Sequence, residues 1–128
     1  MKALREEDLL VIREYTALLQ TLDEAFRYLT ESFNGSEKWN GDRILGDIFA
    51  AFQQILTTHG ILEQALDEDL ELKQVLDQFG EVLDHTLKFN GRLNDHEFKQ
   101  IFIQETFAPA FYEWSVRMQT VLKPYIAH

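Results

Sequence analysis

Along the first quarter of the chain, apolar side chains recur every three or four residues, as they do on one face of an α-helix. One row is Val11, Tyr15, Leu18, Leu22, Ala25 and Leu29, and a second row beside it is Ile12, Leu19, Phe26 and Phe33. Two adjacent rows make a stripe wide enough to be buried in a bundle, and we expect Leu18, Leu22 and Phe26 in the core. The pattern predicts a first helix over residues 5–34, which the glycine of an Asn-Gly pair ends.

The same spacing predicts three further helices. The second runs over residues 42–59 and is stopped by Gly60, the third over residues 67–90, and the fourth over residues 95–122. Residues 61–66 are interpreted as a connector between the second and third helices, with one helical turn as the alternative. No segment alternates apolar and polar residues, so we expect no strands.

These elements predict an all-α protein. Four amphipathic helices with short connections pack most simply as an up-down-up-down antiparallel four-helix bundle. A chain of 128 residues is long enough for a single domain, over residues 1–128. Pro109 in the fourth helix lacks an amide donor and clashes with the preceding turn, so we expect a kink between Glu105 and Pro109.

The fourth helix has more apolar bulk than one core-facing stripe requires. Its first row is Phe107, Phe111, Trp114, Met118, Val121 and Tyr125. Its second row is Phe98, Phe102, Glu105, Ala108 and Tyr112, rotated from the first. Either the kink lets both rows reach one core, or part of the second row is exposed and forms an interface. We expect an interface at Phe98, Phe102, Glu105 and Tyr112, through which the chain forms a homodimer.

Charge is unevenly distributed along the chain. Twelve basic and twenty-two acidic residues give a net charge of −10, which disfavours binding to phosphate backbones and anionic membranes. Neither nucleic acid nor a membrane is therefore an expected partner. Asp77, Glu81 and Asp84 lie on one face of the predicted third helix and form an acidic strip. The strip either solvates the protein or docks a basic partner.

The composition of the chain excludes further classes of function. The chain has no cysteine, which excludes disulfides, thiolate catalysis and cysteine-ligated zinc. The acidic start Met-Lys-Ala-Leu-Arg-Glu-Glu-Asp does not resemble a signal peptide, and no apolar run approaches the length of a membrane span. The sequence therefore predicts a cytoplasmic location.

A four-helix bundle can hold a di-iron site, which needs Glu-x-x-His on two helices. No acid stands three residues before any of the four histidines, so this site is not predicted. The remaining metal candidates are His85 and His96 with Asp95, near the turn between the third and fourth helices. Their more ordinary interpretation is as solvated polar residues near a turn, and we expect no cofactor.

The acids of residues 67–84 resemble the magnesium-binding motifs of the all-α nucleotide pyrophosphohydrolases, Glu-Glu-x-x-Glu and Glu-x-x-Asp. The corresponding stretches here are Asp67-Glu68-x-x-Glu71 and Glu81-x-x-Asp84. The likeness covers fewer than 20 residues and departs from the motif at its first acid. It implies a metal- or nucleotide-dependent enzyme. However, Glu71 and Glu81 lie about 15 Å apart on one predicted helix, too far to share a metal unless that helix breaks.

No catalytic spacing is satisfied, so the sequence assigns no biochemical activity. It favours a non-enzymatic protein–protein interaction module, a small acidic bundle that pairs with itself or with another protein. The alternative is the metal- or nucleotide-dependent enzyme that uses the acids of residues 67–84.

Overall fold

The computed structural model describes residues 4–34 and 41–126, and most of these residues lie in helices. The elements are α1 (Glu6–Ser32), α2 (Asp42–Ala65), α3 (Leu70–Leu87), α4 (His96–Phe102), a π-helix (Ile103–Phe107) and α5 (Ala108–Ile126). The last three follow one another directly and act as the fourth helix of a bundle. α1 packs against α2 and α5, and α3 packs against α5 and α2. The predicted all-α four-helix bundle is confirmed, with no strand in the described part of the chain.

The buried face of α1 combines residues from both rows that the sequence suggested. Its members are Ile12, Tyr15, Leu19, Leu22, Phe26 and Leu29. Leu22 and Phe26 are therefore core residues as predicted, whereas Leu18 is only half-buried at the edge of the core. The reason is that α1 has α2 on one side and α5 on the other, so its most buried line faces the space between them. The glycine that was expected to end α1 lies outside the described residues.

The predicted stop of the second helix at Gly60 is wrong. α2 continues to Ala65, so the predicted connector is mostly helical. Leu62 and Leu66 are both buried and prolong the inward-facing row of α2. Burying two leucines is worth about 1.5–3 kcal/mol each, which exceeds the cost of about 1 kcal/mol for a glycine inside a helix.

α3 is shorter at both ends than the sequence suggested. It begins at Leu70 because the Asp69 carboxylate accepts a hydrogen bond from the Leu72 amide at 2.9 Å and caps the helix there. It ends at Leu87, and the following turn contains Gly91 with φ of +75°, a left-handed conformation that favours glycine.

The fourth helix begins where the sequence predicts, and its hydrogen-bond pattern changes just before Pro109, where the sequence predicts a kink. Asp95 caps α4 by accepting a hydrogen bond from the Phe98 amide at 3.0 Å. The irregularity expected before Pro109 is the π-helix, in which the Ala108 amide bonds to the Ile103 carbonyl. A wider turn accommodates the proline ring, which an α-helical turn would press against a carbonyl. α5 runs on past the predicted end to Ile126.

Candidate functional site

The second aromatic row of the fourth helix is divided by the π-helix. Phe98 and Phe102 stack with ring centroids 5.3 Å apart, and both are half-buried against Phe89. Glu105 is exposed, and Tyr112 is 56% exposed. The structure therefore brings only the first two predicted interface residues together. We call the end of the bundle formed by Phe89, Phe98, Phe102 and the turn of residues 88–95 the Phe89 end.

An apolar groove opens between α2 and α3 beside the Phe89 end. The α2/α3 groove has a volume of about 290 Å³, and none of its lining residues is charged. Phe49, Leu83 and Phe89 line its interior, and Leu87 and Leu93 stand at its rim with 62% and 52% of their surface exposed. Apolar side chains that are exposed next to one another can mark a protein-binding surface.

A second groove lies between α1 and α5 and has a different lining. The α1/α5 groove has a volume of about 390 Å³. Its apolar lining is Phe26, Ala108, Pro109 and Phe111, and its charged lining is Asp23, Arg27 and Glu31. The π-helix contributes Gln104, whose side-chain amide donates to the Thr30 carbonyl at 3.0 Å. That contact satisfies one of the carbonyls left without a helical partner at the end of α1.

Asp23 is the most unusual polar group of this groove. Its Oδ2 accepts hydrogen bonds from the Ser115 hydroxyl and the Gln119 amide, both at 3.2 Å. Its Oδ1 is buried and has no hydrogen-bond partner. Burial raises the pKa of Asp23, an effect opposed by those two hydrogen bonds and by the charge of Arg27. Asp23 therefore has one carboxylate oxygen that is buried without a hydrogen-bond partner.

A buried tyrosine–histidine pair joins α1 to α2, and the sequence analysis did not anticipate it. Tyr15 Oη and His59 Nε2 are 2.6 Å apart, within a cluster that includes Phe79 and Trp114. Burial lowers the pKa of His59 to about 4 and raises the pKa of Tyr15, so both groups stay neutral at pH 7. His59 is only 8% exposed, which makes it a core residue with a satisfied ring nitrogen. Its place four residues after the buried Ile55 of α2 is the one sequence signal for this role.

The metal candidates lie at the Phe89 end but contact different partners. The His85 ring packs against Phe102 at 5.8 Å, and the His96 ring packs against Phe33 at 5.6 Å. The Asp95 carboxylate caps α4. Within residues 4–34 and 41–126, no three His, Cys, Asp or Glu side chains are placed to hold a metal ion together. The metal hypothesis gains no support from this arrangement.

The acidic strip is exposed along α3, as its spacing predicts. Asp77, Glu81 and Asp84 make no ion pair with any described residue. α3 is unbroken between Glu71 and Glu81. The condition under which these acids could share a metal, a break in the helix, is therefore not met. Docking of a basic partner on the strip stays a prediction.

Comparison with known proteins places this fold among relatives without an assigned activity. A family model described as "Domain of unknown function (DUF8042)" matches residues 10–117. A similar protein is "Uncharacterized protein YvzG" of Bacillus subtilis (strain 168), 27% identical over 122 residues that cover 94% of this chain and 95% of that protein. No solved structure is significantly similar to this chain. None of the described helices is long and apolar enough to cross a membrane.

Proposed function

We propose a function from the geometry of the described surfaces. The chain belongs to the family described as "Domain of unknown function (DUF8042)", and this description assigns no activity. The protein is a non-enzymatic protein–protein interaction module that forms a homodimer through the Phe89 end. The observation that carries this proposal is the α2/α3 groove, which has no charged lining and has Leu87 and Leu93 exposed at its rim.

A second copy is the occupant that this surface fits. Each copy presents both a groove and protruding leucines, so a twofold contact can place the leucines of one copy in the groove of the other. Full burial of an exposed leucine gains about 1.5–3 kcal/mol, and a twofold dimer would bury Leu87 and Leu93 twice. The half-buried Phe98 and Phe102 extend the apolar surface beyond the groove.

Charge supports association at this end of the bundle. Two copies with a net charge of −10 repel each other, so a contact surface must be locally balanced. Lys88 and Arg92 offset Asp95 and Glu97 in the turn and the first residues of α4. The buried Lys99 pairs with Asp42 at 2.6 Å. Repulsion between copies is therefore smaller here than at the acidic strip.

The proposed surface keeps part of the interface that the sequence predicts. Phe98 and Phe102 belong to it, whereas Glu105 and Tyr112 lie beyond them along the fourth helix, and Tyr112 borders the α1/α5 groove. The dimer surface accordingly extends from the fourth helix toward the end of α3.

Sedimentation equilibrium at micromolar concentration tests the dimer. Wild-type protein should sediment above the monomer mass of 15.0 kDa, and Leu87→Gln should weaken association at least about tenfold. Leu70→Gln is the matched control: Leu70 is 75% exposed at the other end of α3, and both substitutions keep the net charge. Lowering the salt should weaken the dimer, since repulsion then reaches further.

Two outcomes would contradict the proposal. Wild-type protein that stays at 15.0 kDa at every concentration would exclude a dimer. A dimer that Leu87→Gln and Leu70→Gln weaken equally would place the contact elsewhere.

The proposal also includes a cytoplasmic location. A chain without cysteine has no need of an oxidising compartment, which supports this location. Fractionation of native cells should recover the protein with cytoplasmic markers, and recovery in the membrane or extracellular fraction would contradict it.

A further inference from the structure

The turn that follows α3 contains an Asn-Gly pair at the surface of the α2/α3 groove. Asn90 and Gly91 come shortly after the end of α3 at Leu87, and both are exposed. We infer that Asn90 is a site of spontaneous deamidation, and that the carboxylate formed there weakens the homodimer. The second part of this inference rests on the proposed function, whereas the first part does not.

Deamidation at an Asn-Gly pair is a cyclisation followed by a hydrolysis. The backbone nitrogen of Gly91 attacks Cγ of Asn90 and forms a bond to it, while the bond from Cγ to Nδ2 breaks and ammonia leaves with the proton of the Gly91 amide. Water then adds to one of the two carbonyls of the succinimide ring and opens it. The product at position 90 is aspartate or isoaspartate, and either one is ionised at pH 7, where the amide was neutral.

The surroundings of Asn90 leave both reacting groups available. The turn is closed by a hydrogen bond from the Arg92 amide to the Phe89 carbonyl at 2.9 Å, and no described residue accepts a hydrogen bond from the Gly91 amide. Inside an α-helix that amide would be bonded to a carbonyl four residues earlier. Gly91 has no Cβ to obstruct the closing ring, and its backbone rotates freely. Within residues 4–34 and 41–126, no hydrogen bond holds the side chain of Asn90 in place.

Asn94 lies in the same turn and differs from Asn90 in both respects that matter. It is exposed, but the residue after it is Asp95, whose amide donates to the Arg92 carbonyl at 3.0 Å. The nitrogen that would attack is therefore already bonded, and the side chain of Asp95 stands beside it. Asn94 is also absent from the lining of the α2/α3 groove, to which Asn90 belongs. We therefore expect Asn90 to react first.

A carboxylate at position 90 changes the surface that a second copy would cover. The α2/α3 groove has no charged lining, and Asn90 lines it beside the exposed Leu87 and Leu93. Covering a charge without a partner removes its water, which costs more than covering a neutral amide. A twofold dimer would cover two such charges, one in each groove. Deamidation therefore favours the separated copies.

Peptide mapping by mass spectrometry tests the site on the full chain. Trypsin cleaves after Lys88, Arg92 and Lys99, so residues 89–92 and residues 93–99 form separate peptides. After incubation in warm, mildly alkaline buffer, the first peptide should gain about 1 Da, the difference between the ammonia lost and the water gained, while the second stays unmodified. Protein digested without incubation is the blank. Equal modification of the two peptides, or none of the first, would overturn the site.

Sedimentation equilibrium of freshly purified variants tests the effect on association. Asn90→Asp places the charge in the groove and should weaken the dimer at least about tenfold. Asn94→Asp is the matched control, because it adds the same charge to the same turn outside the groove. It should change association by no more than about twofold, the effect of screened charge alone. Equal losses in the two variants would overturn the effect on the dimer.

Asn90→Gln connects the modification to the dimer. Glutamine keeps a neutral amide but has to close a six-membered ring, so it cyclises far more slowly. Incubated wild-type protein should lose dimer and incubated Asn90→Gln should keep it, whereas an equal loss in both would overturn the inference. The other Asn-Gly pair, Asn34–Gly35, is present in both proteins and so cannot cause the difference. Mass spectrometry does not depend on association, so a modified first peptide from a protein that stays at 15.0 kDa would contradict the homodimer and support the site.

Discussion

The α2/α3 groove contains no charged side chain, whereas the α1/α5 groove contains Asp23, Arg27 and Glu31, although both grooves lie over one aromatic core. Phe52 lines the first and Phe26 the second, and their ring centroids are 6.4 Å apart. An apolar groove can be covered by any apolar surface of matching shape. A groove lined by charged side chains must be matched in charge, because covering a charge without a partner removes its water and gives nothing in return.

The two grooves should also differ in how their residues affect the stability of the fold. The α2/α3 side is held by apolar packing, so its floor should contribute strongly to the free energy of unfolding. The α1/α5 side contains a buried oxygen without a partner, which lowers the free energy of unfolding. Substitutions should therefore lower the free energy of unfolding at the floor of the α2/α3 groove and raise it at Asp23.

The largest effect is expected at the floor of the α2/α3 groove. Phe89 is 2% exposed and packs against the rings of Phe49, Phe98, Phe102 and Phe107. Phe89→Ala should lower the free energy of unfolding by about 3–5 kcal/mol in urea titrations. Leu70→Ala, at an exposed position outside the groove, is the control and should stay within about 0.5 kcal/mol. A loss below about 1 kcal/mol for Phe89→Ala would show that Phe89 is not a core residue.

The next effect concerns pH and the buried His59. Its pKa is near 6.5 in the unfolded chain and about 4 in the folded one, so the unfolded state binds more protons between these values. Stability should be full above pH 6.5 and should fall by up to about 3 kcal/mol as the pH drops toward 4. His59→Gln, which can still accept from Tyr15, should flatten this slope. Equal slopes in both proteins would mean that His59 is solvated.

A smaller effect of opposite sign is expected at Asp23. Burial raises its pKa in the folded chain, so the ionised form opposes folding at pH 7. Asp23→Asn should stabilise the protein by less than about 1 kcal/mol, because the carboxylate is partly exposed and screened by solvent. The gain should vanish below the ordinary pKa of 3.8, where Asp23 is neutral in both states.

The smallest effect is expected at the acidic strip, which belongs to neither groove. Glu81→Gln removes one of three neighbouring charges on exposed positions of α3. The free energy of unfolding should change by less than about 0.5 kcal/mol, with slight stabilisation from reduced repulsion. Thermal unfolding at low salt measures it. A loss beyond that range would reveal a partner for Glu81.

Local signals predicted the start of the fourth helix and the disturbed turn before Pro109 correctly, but they missed several helix ends. Asp95 and Pro109 act within a few residues of themselves, so their effects on α4 and the π-helix follow from the sequence. Gly60 failed as a stop because the burial of Leu62 and Leu66 depends on neighbouring helices. The weak tendency of glycine to end a helix was overridden by the packing of these two leucines.

The sites were harder to predict than the fold. The interface prediction named Phe98 and Phe102 together with Tyr112, because a regular helix would place them in one row. The π-helix changes that register, so the first two pack against Phe89 while Tyr112 borders the α1/α5 groove.

The sequence by itself determined the all-α class and four helical segments, because the spacing of apolar residues records which side of each segment avoids water. Only the tertiary structure decided that Asp23 meets Ser115, 92 residues away, and that Tyr15 meets His59, 44 residues away. Helical periodicity specifies the face on which a side chain lies but not the partner opposite that face. That partner depends on how the helices are rotated and shifted against one another, and shape complementarity across the whole core sets these quantities together.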